Sequence, residues 1–531
     1  MQRETTFDDA SASRIASAAT LANVAEILAG LPDRISHVIR RWAKEQPQHV
    51  ALIAGSTSWT YHEFARIVGE VADELRARGV QAGDRVMIIS ENSLPLATLV
   101  LAASENDAWA VVADPRLSDR EIDQIREHSG SRRVFYVGDG AALAHAIRHG
   151  ATNERVGPLG LLWMGPIDPA AVPEAIEAQR SLRVAALMYT SGTTGSPKGV
   201  MLTHQNILYA AREFGRRYET SPTDRVYCVL PMSHIVGLSL VLIASLMFGA
   251  TLQIVSQYDP AALLTSIAKD GITSLFGVPA TFQRLLEYKV TNGVATMPRG
   301  SLRHLLVAGA GLSPSLKCRV EAEWGLPLLN AYGLTETAPS IAAVPPDSSC
   351  TDDRVGPPMP GVEWRLVDSD GQPVTGSEIG ELHVRSPGVM LGYYRALALT
   401  REVIDPDGWF NTGDLARMTD GNLYIIGRTK ELIIRSGFNI YPSEVEAVLD
   451  SHQDVMRSAV VGRPVDGNEE VTAFVQLLPG SRTDAATLAA YARDQLTAYK
   501  RPLEIVIIDR LPLAPTGKIL KNKLHLHQNQ A

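Results

Sequence analysis

The sequence predicts an α/β protein: helix-covered, mostly parallel sheets in a large N-terminal domain, a β-rich subdomain, and a small α+β domain at the C-terminus. Three observations carry this. Short apolar, β-branched runs alternate with helical patterns over most of the chain, as parallel sheets require. Beyond about residue 362 the pattern changes to short strands broken by turn pairs. After Gly427-Arg428 a last stretch of about 100 residues has its own alternation, long enough for a domain.

The elements follow in order. Residues 1–30 mix acids with small residues and lack a basic start before an apolar run. They read as a flexible extension and not as a secretory signal. Strands are expected at 85–90, 110–113, 133–137, 185–189, 225–230, 251–255, 274–276 and 304–308, with helices such as 61–78 and 260–270 between them. Residues 235–252 carry no charge over 18 residues, a length at the lower limit for a membrane span. Gly237, Ser239, Ser245, Gly249 and Thr251 break the run, and no basic flank borders it, so it reads as a buried helix plus strand. Turn signals at Asp370-Gly371, Thr375-Gly376 and Ser386-Pro387-Gly388 mark the β-rich subdomain, at about 362–428.

The chain has 531 residues, material for two to four folding units at roughly 150 residues each. Fifty Lys and Arg against 58 Asp and Glu leave a net charge of −8. That gives no basic field for nucleic acid or an anionic membrane. The cysteines are three, far apart, with no Cys-x-x-Cys or Cys/His metal spacing. A reducing, cytoplasmic compartment is the default expectation.

The strongest local feature is Tyr189-Thr190-Ser191-Gly192-Thr193-Thr194-Gly195-Ser196-Pro197-Lys198-Gly199-Val200, fed by an apolar strand. Glycines let the backbone approach a ligand closely. The hydroxyls of Thr190, Ser191, Thr193 and Thr194, free amides and Lys198 suit phosphate oxygens. No Gly-Lys-Ser/Thr occurs here, so this is not the GxxxxGK[ST] loop.

This run resembles the phosphate loop of the adenylate-forming superfamily, which includes acyl-CoA synthetases, aryl-CoA ligases, luciferases and peptide-synthetase adenylation domains. The likeness runs from about Leu31 to Lys521 through several motifs in the family's order. Asn330-Ala331-Tyr332-Gly333-Leu334-Thr335-Glu336 resembles the adenine and magnesium motif. It implies Tyr332 stacked on adenine, Asn330 at the purine edge, Thr335 on the α-phosphate and Glu336 on Mg²⁺, a carboxylate suited to a hard cation. Gly309 and Ala310, in Ala308-Gly309-Ala310-Gly311, resemble the wall shared by adenine and acyl group. Asp414, after Trp409-Phe410-Asn411-Thr412-Gly413, is implied to hold the ribose hydroxyls with help from Arg428. His234, in Pro231-Met232-Ser233-His234, is implied to orient the carboxylate or shield the adenylate; a lone histidine beside an apolar run is more often a core residue. Lys430 stands at the family's interdomain hinge. Ser436-Gly437, in the run 434–442, resembles the face that meets CoA. Lys518, in Pro515-Thr516-Gly517-Lys518, resembles the catalytic lysine.

The resemblance therefore implies an N-terminal adenylation domain over 31–428 and a mobile C-terminal domain over 429–531. The implied reaction is AMP-forming: ATP, Mg²⁺ and a carboxylic acid give an acyl-adenylate, then CoA takes the acyl group. Acid, ATP and CoA are the implied partners, with a homodimer left open. The pocket stretches 235–240, 276–282, 308–311 and 334–340 are apolar or small, favouring a hydrophobic fatty, aryl or alicyclic acid. No Asp follows His234 to hold an α-amine, and Arg284 leaves a dicarboxylate as a minor option. The segment 462–470 is shorter than the family's run. Alternatives are loading of a carrier protein, a luciferase-like adenylating oxygenase, and a nucleotide-binding pseudoenzyme.

Overall fold

The structure, a computed structural model, describes residues 24–190, 197–348, 352–374, 377–436, 438–465, 468–478, 480–513 and 519–528. Two eight-stranded sheets dominate the N-terminal part. The first runs in the spatial order Ala342–Ala343, Leu328–Tyr332, His304–Val307, Ser274–Gly277, Arg225–Cys228, Thr251–Ile254, Val50–Ala54, Thr57–Thr60. All its pairings are parallel except those of the two edge strands.

The second sheet runs Gly392–Tyr393, Lys198–Thr203, Val184–Thr190, Trp109–Ala113, Arg85–Ser90, Arg133–Val137, Leu161–Met164, Thr152–Arg155. Its middle is parallel and its flanks are antiparallel. The expected parallel character thus holds in the first sheet and in the heart of the second. One antiparallel pair is the hairpin of Val184–Thr190 with Lys198–Thr203, the stem of the glycine-rich loop. A connection this short can join only antiparallel neighbours. Arg85–Ser90 and Trp109–Ala113 are buried at every position, as strands covered on both faces must be.

Helices fill the faces. Tyr61–Ala77 starts at a capping box between Thr60 and Glu63 and turns its apolar stripe inward. The uncharged stretch resolves into a π-helix Val236–Ile243, a helical turn Ala244–Met247 and the strand Thr251–Ile254. Residues 237–243 are all buried. Among the described residues, no helix is long and apolar enough to cross a membrane.

A four-stranded antiparallel sheet follows, ordered Glu363–Val367, Gly380–Arg385, Phe410–Thr419, Asn422–Arg428. Burial alternates along Gly380–Arg385 and Phe410–Thr419, so one face packs on the core and the other meets water. A 3-10 turn, Thr429–Glu431, leads to the hairpin Ile433–Arg435 and Phe438–Ile440. The last domain is a three-stranded sheet of Val455–Val465, Asn468–Leu477 and Glu504–Ile507, with helices Pro442–Asp450 and Ala485–Gln495. It has its own core around Ile433, Val445, Leu449 and Leu488.

One correction concerns the N-terminus. Residues 24–29 are helical, and Ile27 and Leu31 are 4% and 6% exposed within the main core. Ile27 from this helix and Leu31 just after it anchor the end of the segment read as flexible in the main core.

Candidate active site

Four neighbouring parallel strands of the first sheet end at the same edge: Arg225–Cys228, Ser274–Gly277, His304–Val307 and Leu328–Tyr332. The segments that follow them are 231–234, 276–282, 308–311 and 332–336. Sheet topology therefore gathers motifs scattered over about 100 residues of sequence. The carboxyl edge of such a sheet is where α/β proteins bind ligands. The turn 332–336 needs Gly333, because a Cβ there would lie 1.9 Å from the Pro339 carbonyl oxygen.

Tyr332 reaches from this edge to the antiparallel sheet. Its hydroxyl donates to Asp414 Oδ2 at 2.5 Å. Arg428 Nε lies 2.9 Å from Asp414 Oδ1. Asp414 and Arg428 are directly paired across Phe410–Thr419 and Asn422–Arg428, which fixes that contact by register. Asp414 is 3% exposed, a buried anion held by charge-assisted bonds. Burial, and then the Asp414 charge, push the Tyr332 phenol far above its usual range, so it stays a donor.

Asn330 is buried within the strand Leu328–Tyr332. Its amide nitrogen donates to the carbonyls of Asp353 and Arg354 at 3.1 and 3.2 Å, and the residue is 5% exposed. Those donors tie down the loop before the antiparallel sheet, so a purine edge would meet this amide only through its oxygen.

Glu336 sits in the 3-10 turn Thr335–Thr337 with Thr335 beside it, both half-buried. Its Oε1 accepts from the Tyr393 hydroxyl at 2.9 Å, and its backbone carbonyl from Met390 N at 2.8 Å. Lys198 opens the strand after the loop, opposite Thr190, with Nζ 5.3 Å from the Tyr393 ring centroid. Glu336 Oε2 carries no hydrogen bond among the described residues. A half-exposed carboxylate with one oxygen to spare fits Mg²⁺, which takes one or two carboxylates plus phosphate oxygens and water. No group of three or more His, Cys, Asp or Glu capable of holding a metal exists among the described residues, so this is no all-protein cage.

His234 is exposed at the N-terminal end of the π-helix, and is not the core histidine its apolar surroundings allow. Two features set its position. A Cβ on Gly237 would fall 2.2 Å from the Pro231 carbonyl oxygen, so the helix and its lead-in loop touch backbone to backbone. Asn92, 6% exposed, donates to the carbonyls of Cys228 and Leu230 at 3.3 and 2.9 Å and accepts from Met232 N at 2.7 Å. The sequence reading missed Asn92, since nothing local in Ser90-Glu91-Asn92-Ser93 points 140 residues ahead. It also missed Tyr393, whose only signal is an aromatic after Leu391-Gly392.

Of the expected acyl wall, Ile235, Leu238, Leu240, Phe276 and Phe282 are buried, and Val236 and Val278 are half-buried. Gly309 and Ala310 follow the strand His304–Val307 and are not buried. Arg284 is exposed, its guanidinium 5.9 Å from the Tyr258 ring centroid. Lys430 is exposed in the turn between the antiparallel sheet and the last domain. Ser436 has φ +52° and its amide donates to Asn468 Oδ1 at 2.6 Å, so the shortened segment caps this hairpin. Ser191, Gly192, Thr193, Thr194, Gly437 and Lys518 lie outside the described residues.

Comparison with known proteins agrees over both parts of the chain. The family model described as AMP-binding enzyme matches residues 39–394, and the model for the AMP-binding enzyme C-terminal domain matches 444–518. A feruloyl-CoA synthase of Amycolatopsis is 34% identical over 495 residues, covering 91% of this chain and 97% of that protein. A sulfoacetate–CoA ligase of Cupriavidus necator is 32% identical over 510 residues, covering 93% and 98%. The crystal structure of ATP-bound MatB from Rhodopseudomonas palustris superposes with a TM-score of 0.82 at 30% identity, covering 93% of this chain and 99% of that one. With both domains matched and the motifs gathered at one sheet edge, the chain belongs to the AMP-binding, adenylate-forming superfamily, among its AMP-forming acid–CoA ligases.

Proposed function

We propose that this enzyme activates a hydrophobic carboxylic acid with ATP and passes the acyl group to the thiol of CoA. The observation that carries the proposal is the convergence of three sheets on residues 332–336. Tyr332 is bonded to Asp414 in one sheet, and Glu336 to Tyr393 in another. That arrangement supplies an aromatic face, a diol acceptor, a cation at the phosphate loop and a carboxylate for Mg²⁺.

A carboxylate is a poor acyl donor, because its leaving group would be oxide. In the proposed first step its oxygen attacks the α-phosphorus of ATP and the bond to pyrophosphate breaks. The mixed anhydride then carries AMP as a good leaving group. Asp414 and Arg428 hold the ribose end, Thr190, Ser191, Gly192, Thr193, Thr194 and Lys198 the phosphates, and Thr335 the α-phosphate. Mg²⁺, when bound at Glu336, neutralises phosphate charge. Lys518 stabilises charge that grows at the α-phosphate as pyrophosphate leaves. The last domain then turns about Lys430, and the face of Ser436 and Gly437 admits the CoA thiol, whose sulfur attacks the acyl carbon and expels AMP. His234 borders the carboxylate end.

The two relatives named above differ in the acid they are named for, one aromatic and one a sulfonate. The buried apolar side chains of 235–240 and 276–282 favour an apolar acid here. The test is pyrophosphate release with ATP and Mg²⁺ across fatty, aryl, alicyclic and dicarboxylic acids, with and without CoA. Release that depends on an apolar acid and becomes steady turnover with CoA is the expected result. Best turnover with a dicarboxylate, or release that CoA does not accelerate, would sink the acid class or the acceptor respectively.

A further inference from the structure

Tyr393 belongs to none of the motifs that carry the reaction, yet it touches two of them. It lies on the edge strand Gly392–Tyr393, opposite Val200 in the strand that leaves the phosphate loop. The residue is 7% exposed. Its hydroxyl donates to Glu336 Oε1 at 2.9 Å, and its ring lies under Lys198 Nζ at 5.3 Å.

The backbone around it holds both halves in place. Met390 N donates to the Glu336 carbonyl at 2.8 Å, and Leu391 N to the Met201 carbonyl at 3.0 Å. Tyr393 N donates to Thr400 Oγ1 at 2.9 Å. The tyrosine is therefore fixed before any ligand arrives, and its two contacts are made by a rigid group.

A glutamate side chain in water samples many rotamers, and ordering it costs free energy. With one oxygen held by Tyr393, the other is presented in one direction. A cation over an aromatic ring is likewise restrained without losing its charge. We propose that Tyr393 is a positioning residue that sets the Glu336 carboxylate for Mg²⁺ and registers it against Lys198 of the phosphate loop. The inference rests on the assignment of Glu336 to the metal.

The experiment is calorimetric titration of ATP into the full-length enzyme without acid, so that no chemistry follows. It is done in Mg²⁺ and in EDTA, for the wild type, Tyr393→Phe, Glu336→Gln and the double variant, with thermal melts to confirm folding. Tyr393→Phe keeps the ring and removes only the hydroxyl. It is expected to weaken ATP binding about tenfold in Mg²⁺, the size of one hydrogen bond to a charged group. Binding in EDTA should change less than about twofold, since Lys198 keeps its ring. In the Glu336→Gln background the tyrosine change should add nothing further in Mg²⁺. Equal loss in Mg²⁺ and EDTA, no loss in Mg²⁺, or additive losses in the double variant would each overturn the role of Tyr393 while leaving Glu336 on the metal. A Glu336→Gln variant with no Mg²⁺-specific loss would remove the metal assignment and the inference with it.

Discussion

Asp414 is an anion with almost no access to water, and its stability depends on its donors. Tyr332 and Arg428 each hold one oxygen. Replacing Tyr332 by Phe keeps the aromatic face and removes one of those donors. The cost is expected at about 1.5–3 kcal/mol, the range for hydrogen bonds to charged groups. It should appear as a KM for ATP raised about tenfold or more with kcat little changed, because the ribose end does not react. A fall in kcat at constant KM would contradict this role. The residue scale also shows what local sequence can disclose. Tyr332, Glu336 and Asp414 sit in compact motifs whose residue types match the roles proposed for them. Asn330 stands in the same motif, but its amide nitrogen is engaged by Asp353 and Arg354. A motif gives the residue, and only the fold tells which partner claims it.

Among the elements, the loop 228–232 and the π-helix behind it depend on Asn92. Asn92→Ala would strand two carbonyls and one amide in a buried site. We expect a loss of about 1–3 kcal/mol in unfolding free energy and a raised KM for the acid, read by urea denaturation and steady-state kinetics. An unchanged KM for the acid would separate this loop from substrate. Elements with a clear period were legible in the sequence. The helix 61–77 shows its buried stripe in the sequence, and the strands 85–90 and 133–137 show as short β-branched and aromatic runs, though the burial of Arg85 does not. The antiparallel flanks of the second sheet were not legible, since pairing direction is decided by connection length and by neighbours distant in sequence. Nor was the π-helix, because a fully apolar run has no polar face to reveal its period.

At the scale of the whole molecule, two buried histidines among the described residues, His204 and His304, are held strongly toward the neutral form. His204 is 1% exposed, its Nδ1 accepting from Ile35 N at 3.3 Å, and burial pulls its pKa down to about 3. His304 is 6% exposed, and burial, with Arg303 nearby, pulls it down to about 4. The unfolded chain takes up these protons below about pH 6.5 while the folded one refuses them. Their stabilising effect is therefore complete above pH 6.5 and declines as pH falls toward 4 and then 3. By pH 5 each costs about 2 kcal/mol. The urea midpoint should drop between pH 7 and pH 5, and drop less in His204→Asn. An identical drop in that variant would place the acid sensitivity elsewhere.

The bonds at 332–336 also have a consequence for how the protein comes apart. Tyr332 and Asp414 are 82 residues apart, and Glu336 and Tyr393 are 57 apart. Because the loops between these residues must close first, we expect the proposed nucleotide site to form late in folding. ATP then finds no binding place in the folding transition state. It should slow unfolding in stopped-flow denaturant jumps and leave the refolding limb nearly unchanged. The nucleotide would thus protect the enzyme by lengthening the lifetime of the native state, not by hastening its arrival.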